Sequence, residues 1–324
     1  MLLVGEVRTS LLTHSAPMPA DAGERLLSLL AGAPVRRSER PIARVVSPAR
    51  YTGVDCVLAA GSGRTVRSVG TVSSHAVLTG GRVLQGSAAV EIVRSAQTRR
   101  LPWSHYLARP GRAEVIGGRY REPDVAAAFL EAPGPSPAGA DDRLDLGAIA
   151  QHTVNTVYED AVLDFHAPLK SGETRLRWAA TWTVPGGEAG DVVAFVLRPT
   201  DVRTARIETA AADPAAIVAL CEDLALHDWL LTTLTAVIER SLRGDRGGTR
   251  ALHQLRPAVD CLLHLWMPGA HVGDELAAVW DGLERRPGFS RQWLTAVQRI
   301  RDFLAVRTLQ ELDRAGQPSG TGPT

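Results

Sequence analysis

Between Arg64 and Val93 the chain reads RTVRSVGTVSSHAVLTGGRVLQGSAAVEIV, and this run constrains the fold more than any other. Val66, Val69, Val72, Val77 and Val83 are β-branched, and Thr79-Gly80-Gly81 interrupts them with hairpin-turn chemistry. The segment therefore predicts two long antiparallel strands. Serine, glycine and alanine crowd both of them, which predicts that another backbone packs closely on this pair. LLVGEVRTSLL supplies an opening strand, RAEVIGGRY a later one, and a short helix is expected near Ala22–Leu30. Residues 1–132 thus read as a β-rich domain, expected to be a small twisted barrel or sandwich.

After one short helix in EPDVAAAFLEA, with Pro123 near its first turn, PGPSPAGADD reads as a linker over 133–142. Residues 143–212 follow as a small α/β middle segment. It holds a helix over Leu146–Leu163 and a hairpin made of ETRLRWAATWTV, a Pro185-Gly186-Gly187 turn and DVVAFVL. Alternation places Leu176, Trp178, Ala180 and Trp182 on one face and Arg175, Arg177 and Thr181 on the other, which is expected to be wet and basic. From Asp213-Pro214, an N-cap followed by proline at N1, the pattern turns helical over 213–314. Helices are expected to about Leu242, then near Arg250–Trp266, Gly273–Arg285 and Ser290–Arg314, with Pro257 kinking the second and residues 315–324 a disordered tail. The fold class is α+β: a β-rich N-terminal part, a small α/β middle and an all-α C-terminal helical domain.

Composition narrows the function classes. The 324 residues carry 36 Lys and Arg against 35 Asp and Glu, a net charge of +1, which argues against a non-specific polyanion binder. Lys170 is the one lysine, so the arginine excess reads first as the codon bias of a GC-rich genome. Cys56, Cys221 and Cys261 form neither a disulfide framework nor a zinc pattern. The chain opens without a basic n-region and lacks a long apolar run, so a cytoplasmic protein without a membrane partner is expected. No GxxxxGK[ST], GxSxG or HExxH motif occurs, and the glycines of AAGSGRTVRSVG precede a strand pattern rather than a helix. Neither a cofactor nor a metal site is expected.

Two constellations remain. RRLPWSHYLARPG (Arg99–Gly111) concentrates residue types that dominate binding hot spots, and Trp103, His105, Tyr106 and Arg109 are its partner-binding candidates, joined by Arg175 and Arg177. Trp103 is expected to plug the β-rich part, with Tyr106 and Arg109 more exposed. Nucleic-acid binding by the Arg94, Arg99, Arg100, Arg109 and Arg112 cluster is a weaker reading, since Glu114 and Glu122 interleave with it. In LCEDLALHDWLL, His227 and Asp228 interrupt an apolar helical stripe with Asp223 one turn before. They are either a buried network that fixes helix packing or the centre of an enzyme or metal-dependent module. Asp260 and His264, with His253, His271 and Asp274 nearby, read as ordinary helix pairing, with a metal site as the lesser reading.

Seven fragments, GEVRTSLL, RRSERPIA, GVDC, GTVSSHAVLTGGRVLQGSA, LPWSHYLARPG, TRLRWA and LCEDLALHDWLLTTL, are distributed between Gly5 and Leu234. Together they resemble an uncharacterised actinobacterial, Streptomyces-type protein family encoded near a variant P-loop protein and a SAM-dependent methyltransferase. The resemblance implies a component of a multi-protein system whose partners include products of neighbouring genes. That family has no established catalytic residues, so none is transferred here. The resulting expectation is a non-catalytic scaffold or partner-binding protein, with the enzyme centred on His227 and Asp228 as the alternative.

Overall fold

The computed structural model describes all residues except 62, 133–141, 183–191, 198–201, 210–212, 244–248 and 317–324. It is an α+β structure built on one mixed ten-stranded sheet with helices on both faces. The strands are β1 (Leu2–Leu11), β2 (Arg36–Ser38), β3 (Arg44–Val46), β4 (Arg50–Ala59), β5 (Thr65–Thr79), β6 (Val83–Arg94), β7 (Arg112–Ile116), β8 (Thr174–Trp182), β9 (Val192–Leu197) and β10 (Val202–Thr209). Their order is β2-β3-β5-β7-β6-β1-β8-β10-β9, with β4 also paired to β5. Among the described residues this path is open, so the expected barrel or sandwich is corrected to a single sheet.

The β5–β6 hairpin is the centre of that sheet. Gly80 and Gly81 turn it, both at positive φ, a region where glycine carries no Cβ penalty. Near the turn β5 and β6 pair directly, Ser73–Thr79 against Val83–Ala89; further out they splay, and β7 enters the fork between them. A Cβ on Gly70 would collide with the Arg112 carbonyl of β7, and one on Gly86 with the Ala150 carbonyl of the helix above. The small residues of this segment therefore admit close backbones, as their pattern predicts.

One face of the sheet is covered by α1 (Ala20–Leu26), α3 (Glu122–Glu131) and α4 (Leu146–Tyr158), which pack on Leu2, Val4, Val90, Leu78 and Leu84. The opposite face is covered by α5 (Pro214–Arg243) and α7 (Ala277–Arg285), packed on Leu3, Val7, Leu176 and Trp178. Helices α6 (Thr249–Leu262) and α8 (Phe289–Gly316) then pack on α5 around Trp229, Leu234 and Trp293. The remaining helix, α2 (Trp103–Leu107), is short and lies beside β4 and β5.

Several boundaries move. The sheet runs through both 1–132 and 143–212, because β1 pairs along its length with β6 on one side and β8 on the other. The middle segment is thus continuous with the N-terminal part. Its expected hairpin does not form: β10 lies between β8 and β9, parallel to the first and antiparallel to the second. The Pro185-Gly186-Gly187 turn lies outside the described residues, as do most of the linker (133–141) and the end of the tail (317–324). The Asp142 carbonyl is tied to the sheet, accepting the Val57 N–H at 2.7 Å, and α8 runs to Gly316, two residues beyond the expected helix end at 314. Proline 257 sits inside α6, which ends at Leu262, so His264 falls on a separate 3-10 turn and Asp260 pairs with Arg256 instead.

Candidate functional site

Helix α5 carries Glu222, Asp223, His227 and Asp228, all buried. Asp223 and His227 meet, with the Asp223 carboxylate 3.5 Å from Nδ1, but Asp228 and Glu222 turn to other partners. His227 Nδ1 lies 2.7 Å from the Asp223 carbonyl, and its ring packs edge-on against Trp266 at 5.0 Å and Trp280 at 5.7 Å. The Asp223 carboxylate accepts the Gly269 N–H at 2.8 Å, which ties α5 to the turn after α6. Asp228 meets Arg203 of β10 at 2.7 Å. Burial pushes the Asp228 carboxyl up to about 6, against the pull of Arg203, so it is ionised at neutral pH. His227 and Asp228 therefore join α5 to two different neighbours, the helical layer and the sheet. Their surroundings are filled by tryptophan and leucine, the expected setting for a packing network.

A different set of groups does converge. Glu222, one turn from His227 on the sheet-facing side, accepts Arg44 of β3 at 2.6 Å and lies 2.6 Å from His75 Nε2 of β5. Its backbone carbonyl accepts the Gln85 side chain at 2.9 Å. Burial acts to raise the Glu222 carboxyl, but His75 and then Arg44 pull it down to about 2. His271 stands nearby with Nε2 buried and without a hydrogen-bond partner. Burial, with Arg44 close by, lowers its pKa, so the imidazole is neutral at pH 7. These side chains line a cavity of about 610 Å³ between α5 and the sheet.

Sequence reasoning missed this cluster. His75 occupies an alternate position in a valine-rich strand, Arg44 sits in a strand of three residues, and His271 follows a helix end. Glu222 lies inside LCEDLALHDWLL, His75 inside the valine-rich run and His271 beside Asp260 and His264, but nothing joined the three. No local spacing signals that a β3 arginine, a β5 histidine and an α5 glutamate meet.

The Glu222 carboxylate makes a pH prediction. Its folded pKa lies below the ordinary value of 4.5, so it stabilises the fold above that pH, and the contribution is lost as pH falls toward about 2. Glu222→Gln is expected to be less stable than the parent at pH 6, with the gap narrowing steadily below about pH 4.5. Thermal melts of both proteins across that range check it; a constant gap would mean Glu222 is not held by charge.

The RRLPWSHYLARPG segment is helical at its centre, and two expectations there are reversed. Tyr106 is 2% exposed, whereas Trp103 is 39% exposed. The reason is helical spacing. Tyr106 turns inward, with its hydroxyl accepting the Leu101 N–H at 3.1 Å, while Trp103 and Leu107, one turn apart, share the outer face. Trp103 lies over Gly53 of β4, its ring 3.2 Å from where a Cβ would stand, with the Arg100 guanidinium 5.0 Å from its centroid. His105 and Arg109 both grip Glu114 of β7, at 2.8 and 3.0 Å. Tyr106 is thus a core anchor and His105 a brace, while Trp103 and Arg109 face outward.

The wet basic face of β8 is corrected as well. Helices α3 and α4 cover it. Arg175 and Arg177 reach Glu6 of β1 at 2.9 and 3.1 Å, and Arg177 also donates to the Ala132 carbonyl at 2.8 Å. Glu6 is 1% exposed, so both arginines are tied within the sheet, and Arg177 also joins it to the end of α3. Three of the five arginines of the weaker nucleic-acid reading are matched by acids: Arg100 by Asp55, Arg109 by Glu114 and Arg112 by Glu91.

Among the described residues no group of three or more His, Cys, Asp or Glu could hold a metal ion, and no helix is long and apolar enough to cross a membrane. The three cysteines are free and buried. Comparison with family models, with curated proteins and with solved structures returns no match to the chain.

Proposed function

We propose that the protein is a non-catalytic component of a cytosolic multi-protein assembly, and that it meets protein partners, including products of neighbouring genes, through the platform around α2. The observation that carries this reading is the outward apolar face of a braced element. Leu107 is 61% exposed, Trp103 39% and Tyr51 50%. Tyr51 and Gly53 share one face of β4, and Trp103 lies on Gly53, so Tyr51 and Trp103 lie on the same side of β4. Arg109 flanks them with an exposed side chain. Tryptophan, tyrosine and arginine are the residues that most often dominate interface energetics. The platform is pre-ordered by buried Tyr106 and by the Glu114 brace, which reduces the entropy lost on docking. The enzyme reading centred on His227 has less support, because tryptophan rings enclose that imidazole.

The test is comparative capture from source cells. The tagged chain is expected to retain a defined set of proteins, and Trp103→Ala and Leu107→Asp are each expected to lose it. Leu107 is mostly exposed, so Leu107→Asp should change folding stability by no more than about 0.5 kcal/mol. Retention of the same proteins by both variants would contradict the proposal.

A further inference from the structure

The cavity against α5 borders the platform at Tyr51 but is built from other side chains, and its chemistry points to a small ligand. Its volume of about 610 Å³ falls within the range of small-molecule sites. The walls divide by chemistry. Leu3, Val46, Ala89 and Val218 give an apolar part, whereas Arg36, Arg44, Arg112 and His75 give a cationic one.

The cationic side is pre-organised by two carboxylates, Glu91 and Glu222, that also line the cavity. Glu222 fixes Arg44 through Nη2 and holds His75 through Nε2, which leaves the other donors of Arg44 and the Nδ1 of His75 uncommitted to it. Glu91 fixes Arg112 through Nε at 2.7 Å. Arg36, on the rim, has no carboxylate partner among the described residues, and His271 brings its unpartnered Nε2 to the same wall. Two buried carboxylates thus stand against a larger number of guanidinium groups, with the positive end of a 30-residue helix at the edge, where Ala215 lines the cavity. Arginines already held in place lose little freedom when an anion arrives, and their planar donors match an oxyanion.

We infer that this cavity binds a small molecule through an oxyanion group, phosphate or carboxylate, gripped by Arg36, Arg44 and Arg112, with the rest of the ligand on Leu3, Val46 and Val218. The cavity adjoins the platform on α2 at Tyr51, but its arginines are not part of that platform.

Calorimetric titration of the full chain at low salt, with inorganic pyrophosphate in one arm and citrate in the other, tests it. One saturable site is expected in at least one arm, and the tighter arm names the group, phosphate or carboxylate. Arg36→Glu is expected to weaken that binding by at least about tenfold while leaving the melting temperature of the ligand-free chain unchanged. Arg44→Lys, which keeps a cation beside Glu222 but loses the planar fork, is expected to weaken it as well. Arg256→Glu, on an exposed helix face outside the cavity, is expected to change nothing. Absence of saturable binding in both arms would overturn the inference. So would Arg36→Glu and Arg44→Lys variants that bind as tightly as the parent.

Discussion

Glu6→Ala is expected to lower the unfolding free energy by about 3–5 kcal/mol, a large share of what holds a single domain together. Glu6 is buried at the middle of β1, and three guanidinium groups close on it: Arg175 at 2.9 Å, Arg177 at 3.1 Å and Arg8 at 3.5 Å. A buried ion pair contributes modestly over an apolar replacement, but removing one partner leaves the others desolvated and uncompensated. Here the residue left behind includes Arg177, whose side chain is 8% exposed and whose remaining bonds go to the Phe129 and Ala132 carbonyls. Glu6→Gln, which keeps the shape and loses the charge, should fall between the parent and Glu6→Ala. Urea unfolding of the three proteins measures the order. A Glu6→Ala protein as stable as the parent would mean that Arg175 and Arg177 are solvated and free to meet a partner after all.

Tyr106→Ala should cost about 3–5 kcal/mol, the range for truncating a large aromatic in a core. Trp103→Ala, four-tenths exposed, should cost clearly less. Tyr106 packs edge-on against the rings of Trp103 at 5.8 Å and His105 at 5.1 Å, and its hydroxyl satisfies the Leu101 N–H, so its loss removes both filling and a hydrogen bond. Denaturant midpoints of the two variants decide the order, and the opposite order would restore Trp103 as the plug of this region.

That reversal shows where sequence reasoning reaches its limit. The longest elements were legible, whereas β2, β3, β4, β10 and α2 were not read. The β5–β6 hairpin announced itself through β-branched alternation and a Gly-Gly turn, and α5 through Asp213-Pro214 and a continuous apolar run. What local pattern does not carry is which elements become neighbours. Trp103 was expected inward and Tyr106 outward; the short helix between the prolines reverses them, turning Tyr106 in and Trp103 out. Reading β8 as half of a hairpin left one face to solvent. Its pairing with β1 and β10 instead makes it an interior strand with helices on both sides, and the arginines find Glu6. His227 and Asp228 were legible as a buried polar break in an apolar stripe. Their partners were not, since Arg203, Gly269 and Trp280 come from three separate elements, far along the chain. The Glu222 cluster was invisible for the same reason: 178 residues of chain separate it from Arg44.

The central claim is that partners dock on the outer face of α2 and the adjoining face of β4, and backbone hydrogen exchange tests it most directly. The captured complex is compared with the free protein, peptide by peptide. The account predicts added protection over residues 101–109 and 50–55, with the interior of α5 around His227 and Asp228 equally slow in both states. Protection confined to other segments, with residues 101–109 exchanging at the same rate free and bound, would contradict it.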